Sequence, residues 1–262
     1  MNKSFLVDVF IGVGKLLLAG ISFLALWECV ARLGIYDTIF FPQPTQWLRT
    51  LTLMIKSGEL VSDIGLSLQR AIIGFLAGSA LGMVVGLLTG RFRIFDYTFG
   101  QLIRLIRSIP SISLVPLVIL WFGLGEFSKY FIVFWGVFFP VWINSHVGSS
   151  HVSQEVIWAA RSLGARKINL LLQVILPSSF PFIMAGMRAG IAIAFVVLVA
   201  AEMTGAFGGL GYRIYASHLV FRVDKMVVGI ATLGVIGAIA DIVFAAALKA
   251  IPWQREDAKG SV

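Results

Sequence analysis

The chain has 262 residues, 58% of them hydrophobic and 13% charged, with a mean hydropathy of +0.93. Such a balance excludes a soluble globular domain and reads as an integral membrane protein. A net charge of +8 would point a soluble protein toward nucleic acid, but here it asks which side of the bilayer holds the basic residues.

Six apolar runs reach the roughly 20 residues needed to cross ~30 Å of hydrocarbon. They lie near 15–34, 64–90, 102–123, 129–149, 178–201 and 226–248. Each is unbroken where a barrel strand would alternate, and a lipid-facing backbone has to satisfy its own hydrogen bonds, so all six are expected to be helices. The expected fold is all-α, a single transmembrane domain over residues 1–262. From Lys3 the first run continues through Trp27 to Val30 with no small-residue cleavage site, and reads as a retained span. Cys29, the single cysteine, can form no internal disulfide.

After this span comes Phe40-Phe41-Pro42-Gln43-Pro44, whose prolines argue against helix. Beyond them Trp47, Leu48, Leu51, Met54 and Ile55 fit an amphipathic interfacial helix, with Thr45 as its expected cap. Span two carries Gly74, Gly78, Gly82, Gly86 and Gly90 at a strict four-residue spacing. A stripe of that kind lets another helix approach to backbone contact, in the same chain or in a second copy. Span three holds Pro110 and Pro116, which are expected to bend or break it, as in helices that line a translocation pathway.

Residues 154–177 form the longest amphipathic stretch. Val156, Ala159, Ala160 and Leu163 recur at helical spacing while Glu155, Arg161 and Ser162 fall elsewhere around the helix. Gly164 is expected to stop that helix, and a second run from Ala165 to Val174, with Arg166 and Lys167 at its start, is expected to end at Pro177. The predicted unit is a helix, glycine turn, helix hairpin lying across the membrane surface. Span five places Arg188 about ten residues in, ~15 Å deep, where an unpaired charge costs at least ~2.5 kcal/mol. Arg188 therefore faces protein or water, either attracting an anion or pairing with an acidic group or a carbonyl. Asp241 in span six raises the same question, and Glu202 stands at the outer end of span five.

Arg91, Arg93, Arg104, Arg107, Arg161, Arg166 and Lys167 fall on the same side as Lys3, Arg255 and Lys259. They outnumber the basic residues of the opposite side, which favours both termini and the hairpin in the cytoplasm. Several chemistries are missing. Gly12-Val13-Gly14-Lys15-Leu16 lacks the first glycine and the Ser or Thr of a phosphate loop, so no cofactor is expected on this chain. Gly205, Gly208, Gly209 and Gly211 have no βαβ context and read as a turn. His146, His151 and His218 have no companions at metal-ligand spacing, and no nucleophile with a base is visible.

Trp158-Ala159-Ala160, then Gly164, then Val174-Ile175-Leu176-Pro177 resembles the "EAA" loop of permease subunits in binding-protein-dependent ABC importers. The family usually has Glu where this chain has Trp158, and Glu155 lies one turn earlier. Pro116 to Gly125, Gly65 to Gly90 and Pro140 to Asn144 most resemble aliphatic-sulfonate permeases in the nitrate, sulfonate, taurine and bicarbonate branch. The likeness runs from about residue 63 to 245.

The resemblance implies a type I, MetI-like importer architecture with a cytoplasmic coupling-helix hairpin. It implies two separate ATPase subunits that hold the ATP and Mg, an extracytoplasmic solute-binding protein, a second permease subunit as a homodimer, and no nucleic acid. It places the chain in the bacterial cytoplasmic (inner) membrane and makes it non-catalytic. Glu155, Trp158, Ala159, Ala160, Arg161, Gly164, Ala165, Arg166, Leu176 and Pro177 become the ATPase-coupling residues, and Pro110, Pro116, Arg188 and Glu202 the pathway candidates. The competing class is a carrier or channel driven by an ion gradient. Such a carrier is expected to show an internal repeat, and none is evident.

Overall fold

The computed structural model describes residues 3–35 and 37–249. In chain order the helices are α1 (Lys3–Arg32), α2 (Pro44–Lys56), α3 (Glu59–Arg91), α4 (Arg93–Phe95), α5 (Gln101–Ile106), α6 (Val115–Phe122) and α7 (Glu126–Ser150). They continue as α8 (Gln154–Ser162), α9 (Lys167–Leu170), α10 (Leu176–Gly205), α11 (Leu210–Leu219) and α12 (Val223–Lys249). A π-turn at Asp96–Gly100 joins α4 to α5, a 3₁₀ turn at Ser111–Leu114 leads into α6, and a second π-turn at Leu171–Ile175 joins α9 to α10.

Among the described residues, α3, α7, Ile168–Gly205 and α12 are each long and apolar enough to cross a membrane. Arg93–Ile106 and Ser111–Phe122 pass that test only as a pair, bent by 85°. The helix α1 overlaps the first expected span, 15–34, as far as Arg32. Arg255 and Lys259 lie outside the described residues.

The described chain gathers into two compact units. The first combines Met1–Val61 with Arg213–Ala231. Within it Trp27 stacks on Phe41 at 5.2 Å between ring centroids, and its indole N–H donates to the Pro42 carbonyl at 3.1 Å. Pro44 opens α2 at its first turn, where a missing N–H costs no helical bond. The expectation of Thr45 as cap is therefore corrected: Gln43 is the flanking residue, and the Thr45 N–H and hydroxyl both donate to Glu28. The Thr50 hydroxyl donates to Asp224 at 2.7 Å, and Glu59 pairs with both Lys225 and Arg213.

The second unit combines Ser62–Tyr212 with Thr232–Val262. Its centre is α3 laid along α7, with α10 packed against both. A Cβ added at Gly78 would stand 2.6 Å from the Phe134 carbonyl oxygen, and one at Gly82 2.8 Å from that of Phe138. At Gly86 it would meet the Ser145 Cβ at 2.5 Å and the Trp142 carbonyl at 2.6 Å. Gly74 and Gly90 make the same approach to Val133 and to Ser149 with His146. The glycine stripe thus faces a helix of the same chain, and packing of this closeness replaces the hydrophobic drive that lipid does not supply. Val133, Val137 and Val141 of α7, which meet the glycines of α3, also belong to a buried cluster with Ala194, Val197 and Leu198 of α10.

The proline-bearing stretch differs from expectation. Helix resumes at Arg93, with only Phe92 between it and α3, so the expected connecting segment 91–101 is helical and span three does not begin at residue 102. The π-turn accommodates the polar residues there: Asp96 pairs with Arg104 at 2.8 Å, on the inner side of which only glycine fits at position 100. The break falls at residues 107–110, where Pro110 takes an extended conformation ahead of the 3₁₀ turn. Pro116 causes no second break, because it sits in the first turn of α6.

Candidate functional site

The hairpin expected at 154–177 is present with an altered second half. Ser153 caps α8: its hydroxyl accepts from the Val156 N–H. At the other end the Gly164 N–H donates to the Arg161 carbonyl at 2.9 Å and the Ala165 N–H to the Ala160 carbonyl at 3.0 Å. These two bonds make a Schellman ending, which requires a left-handed residue between them, and Gly164 supplies φ +86. The turn is thus built by Gly164 from backbone geometry, and a Cβ there would meet nothing within 4 Å.

The second helix starts at Lys167, two residues later than expected, and Pro177 does not end it. The π-turn at Leu171–Ile175 shifts the ladder, so that the Leu176 N–H reaches the Leu171 carbonyl, and Leu176 and Pro177 then occupy the first turn of α10. A proline at a helix start needs no backbone partner, so the chain runs on from hairpin to span as one helical path, Ile168–Gly205.

The faces of α8 are also reassigned. Ile157 is fully buried and joins Leu87, Leu170, Ile175 and Ile183 in a cluster, with Ala160 packed against it. Val156, Trp158, Ala159 and Leu163 point away; Trp158 is 60% exposed and Leu163 89% exposed. One turn of apolar side chain thus props the helix on the spans while a second apolar face is left open. Burial of that size is ordinarily favourable by about 25 cal/mol per Å² of apolar surface, so an uncovered face marks an interaction surface. The Glu155 carboxylate turns back on the helix start, where hydrogen bonds from its own N–H and from Ser153 hold it below the ordinary carboxylate range. Glu155 thus stands in the first turn of α8, one turn before Trp158. Arg161 and Arg166 are exposed and Ala165 is half-buried.

The pathway candidates separate. Glu202 has no exposure at all. Its carboxylate accepts from Arg70 at 2.8 Å, from the Ser67 hydroxyl and from the Gly211 N–H. Arg70 also forks onto Glu126 at 2.6 and 2.7 Å and donates to the Gly208 carbonyl. Asp63 accepts from the Gly209 N–H at 2.9 Å, and at φ +113 a Cβ on Gly209 would strike Glu202 and Arg70. The glycine-rich turn is therefore clamped by a saturated ionic cluster, and Glu202 belongs to that clamp, where the sequence placed it at an outer end facing a pathway.

Arg188 makes two bonds to Asp241, at 2.8 and 2.7 Å, and the pair is open to the surroundings, the two side chains being 54% and 42% exposed. Sequence left its partner open, and the neighbouring helix supplies it. Pro110 lines a cavity of about 390 Å³ at the helix break, with Arg107, Ser111, Phe139 and Asn144 among its walls, whereas Pro116 lies one turn further on. Nothing in the sequence pattern joined Arg70 to Glu202, 132 residues apart.

Residues 78–251 match the family model described as a binding-protein-dependent transport system inner membrane component. A relative from Bacillus subtilis (strain 168), named for aliphatic sulfonates transport, is 34% identical over 218 residues, covering 83% of this chain and 79% of the relative. The taurine transport system permease protein of Escherichia coli (strain K12) is 32% identical over 239 residues, 89% of this chain and 87% of the relative. Among solved structures, a chain of the MetNI methionine ABC transporter in inward-facing conformations matches with a TM-score of 0.65 at 18% identity. That match covers 74% of this chain and 97% of the other, and shows a shared fold.

Proposed function

This chain belongs to the inner membrane components of binding-protein-dependent transport systems, and from that premise we propose that it forms the path by which a small organic anion enters the cell. It is a multi-pass permease subunit of an ABC transporter. The names of two relatives favour a sulfonate, with nitrate and bicarbonate as the related chemistries to be compared in the same assay. In this reading the whole chain acts as one permease domain and pairs with a second copy. Two ATPase subunits bind the hairpin and hold the ATP and Mg, while a soluble binding protein delivers solute from the other side. Both termini and the hairpin face the cytoplasm.

The observation that carries the reading is the open apolar face of α8. Val156, Trp158, Ala159 and Leu163 are exposed on a short helix braced on the spans through Ile157, and beyond the Gly164 turn the second helix of the hairpin runs on into α10. A rigid lever of this kind can pass a push from a motor to the membrane helices. Pro110 and the Arg188–Asp241 pair are assigned to the solute path: charged groups within a span face protein or water, and an exposed pair offers an anion one positive partner.

The test is uptake of labelled taurine by vesicles holding the permease with its ATPase and binding protein. Ala159→Asp puts a charge on the open face without touching the brace. It is expected to leave insertion and dimerisation intact, to bring uptake to background, and to remove stimulation of the ATPase by loaded binding protein. ATP is expected to act only from the side on which Asn169→Cys, in a Cys29→Ser background, reacts with an impermeant thiol reagent. Unimpaired uptake in Ala159→Asp with the ATPase still attached would show that α8 is not the coupling element.

A further inference from the structure

At the foot of the hairpin, three arginines from separate elements line one groove of about 280 Å³: Arg91 at the end of α3, Arg93 at the start of α4 and Arg161 in the last turns of α8. Among the described residues no carboxylate pairs with any of them, although the chain pairs Arg70, Arg104, Arg188 and Arg222 with acidic partners. Three guanidinium groups around one groove repel one another, and an anion between them relieves that repulsion. The rest of the lining is apolar, from Phe92, Ile94, Leu170 and Ile175.

We infer that this groove binds the phosphate of an anionic membrane phospholipid, with Arg91, Arg93 and Arg161 around the headgroup and the acyl chains along α4. Two observations select a lipid over an acidic protein surface. The groove lies where two membrane-crossing segments end, α3 at Arg91 and Ile168–Gly205 near Leu170, which is the level of the headgroups. Beside it Ile94 and Tyr97 stand 71% and 72% exposed, followed by Phe99, an aromatic and aliphatic strip of the kind that sits at a membrane interface. Arginine suits the role because its planar fork meets phosphate oxygens two at a time. The site is independent of which solute is carried. Because Arg161 lies on α8 and Arg91 on a span, a lipid there joins the hairpin to the membrane.

The test uses the permease–ATPase complex in detergent, extracted with added phosphatidylglycerol or phosphatidylcholine and read by native mass spectrometry. The wild type is expected to retain phosphatidylglycerol over phosphatidylcholine. Arg91→Gln with Arg161→Gln is expected to weaken that retention at least ~10-fold, the weight of one charged hydrogen bond. Arg161→Gln alone, at an exposed position that cannot upset folding, is expected to give part of the loss, and Arg166→Gln, off the groove, none. Equal retention of the two lipids by the wild type overturns the site, as does retention unchanged in Arg161→Gln. Displacement of phosphatidylglycerol by millimolar inorganic phosphate would reassign the groove to a free anion. Loss of the ATPase from Arg161→Gln with lipid retention intact would reassign it to the protein partner.

Discussion

The seam between α3 and α7 and the turn at the end of α8 are both built on small residues, and they use them in opposite ways. Along the seam a Cβ on any of the five stripe glycines would run into α7, often into its backbone. At Gly164 the same added carbon would meet nothing within 4 Å, and Ala159 is exposed. Small side chains are thus required by contact in the first case and by backbone conformation in the second. The seam is finished within one chain, whereas the turn leaves an apolar face with no cover in it. That contrast separates residues fixed by packing within the chain from residues left exposed by it.

Overfilling the seam is expected to have the largest effect. Gly86→Leu would force a side chain into the space held by Ser145 and the Trp142 carbonyl, where the neighbours include main-chain atoms that cannot rotate away. A cost of about 3 kcal/mol is expected, from overpacking that the helices relieve only by separating. The measurement is thermal stability of the purified permease in detergent, together with its yield in membranes. A wild-type melting profile for Gly86→Leu would mean that α3 and α7 do not meet so closely, and the contrast with the turn would fail.

How far the two regions could be read beforehand follows the same division. Local signals were legible: the stripe was evident from a four-residue repeat, and the first helix of the hairpin from Gln154 to Ser162 follows from its spacing and from Gly164. The partner of the stripe was not, because the series on α7 that receives it, Val133, Val137, Val141, Ser145 and Ser149, keeps the same four-residue spacing but mixes valine with serine in a helix rich in both kinds of residue, and so does not stand out as five glycines do. The Arg70–Glu202 clamp was invisible for the same reason, since ion pairing across 132 residues leaves no periodic trace. Pro177 was misread as a stop because a π-turn can realign the hydrogen-bond ladder just before a proline, and no residue type announces such a turn. The orientation of α8 was not legible, because Val156, Ala159, Ala160 and Leu163 recur at helical spacing and periodicity does not say whether a stripe is covered by the same chain or by another. Residues 91–101 fell between two expected spans, whereas Arg91, Arg93 and Asp96 lie in helix and π-turn.

A middle-sized effect is expected where conformation and not contact is at stake. Gly164→Ala has room for its methyl group but places an L side chain at φ +86, at a cost of about 1 kcal/mol. Stability should fall by that amount and no more, a third of the loss at Gly86. The Schellman bonds of Ala165 to Ala160 and Gly164 to Arg161 should loosen with it, so that hydrogen exchange at those two amides rises while that of Ile157 does not. A loss as large as that of Gly86→Leu would show that position 164 is crowded, contrary to the open space around it.

The smallest effect on the fold is expected at Trp158, and it is the one that bears most on function. Its ring is 60% exposed on the outer side of α8, with Glu155 and Ser162 between it and the stripe of Val156, Ala159 and Leu163, while Ile157 beside it carries the brace. Trp158→Ala should therefore change stability by less than about 0.5 kcal/mol, the range of surface substitutions. If the open face is what the ATPase covers, the same change removes a large aromatic from the centre of that contact, where truncation ordinarily costs ~2 kcal/mol or more. Affinity for the ATPase subunit should then fall by roughly 30-fold, measured by titrating the ATPase onto permease in nanodiscs. Ile157→Ala is the complement: it should lower stability by ~2–4 kcal/mol through the cavity left in the brace. Trp158 and Ile157 are adjacent in sequence, about 100° apart around one short helix, and one is exposed where the other is buried. Equal losses of affinity and stability in both variants would mean that α8 has a single buried face, and that the turn, like the seam, is finished within the chain.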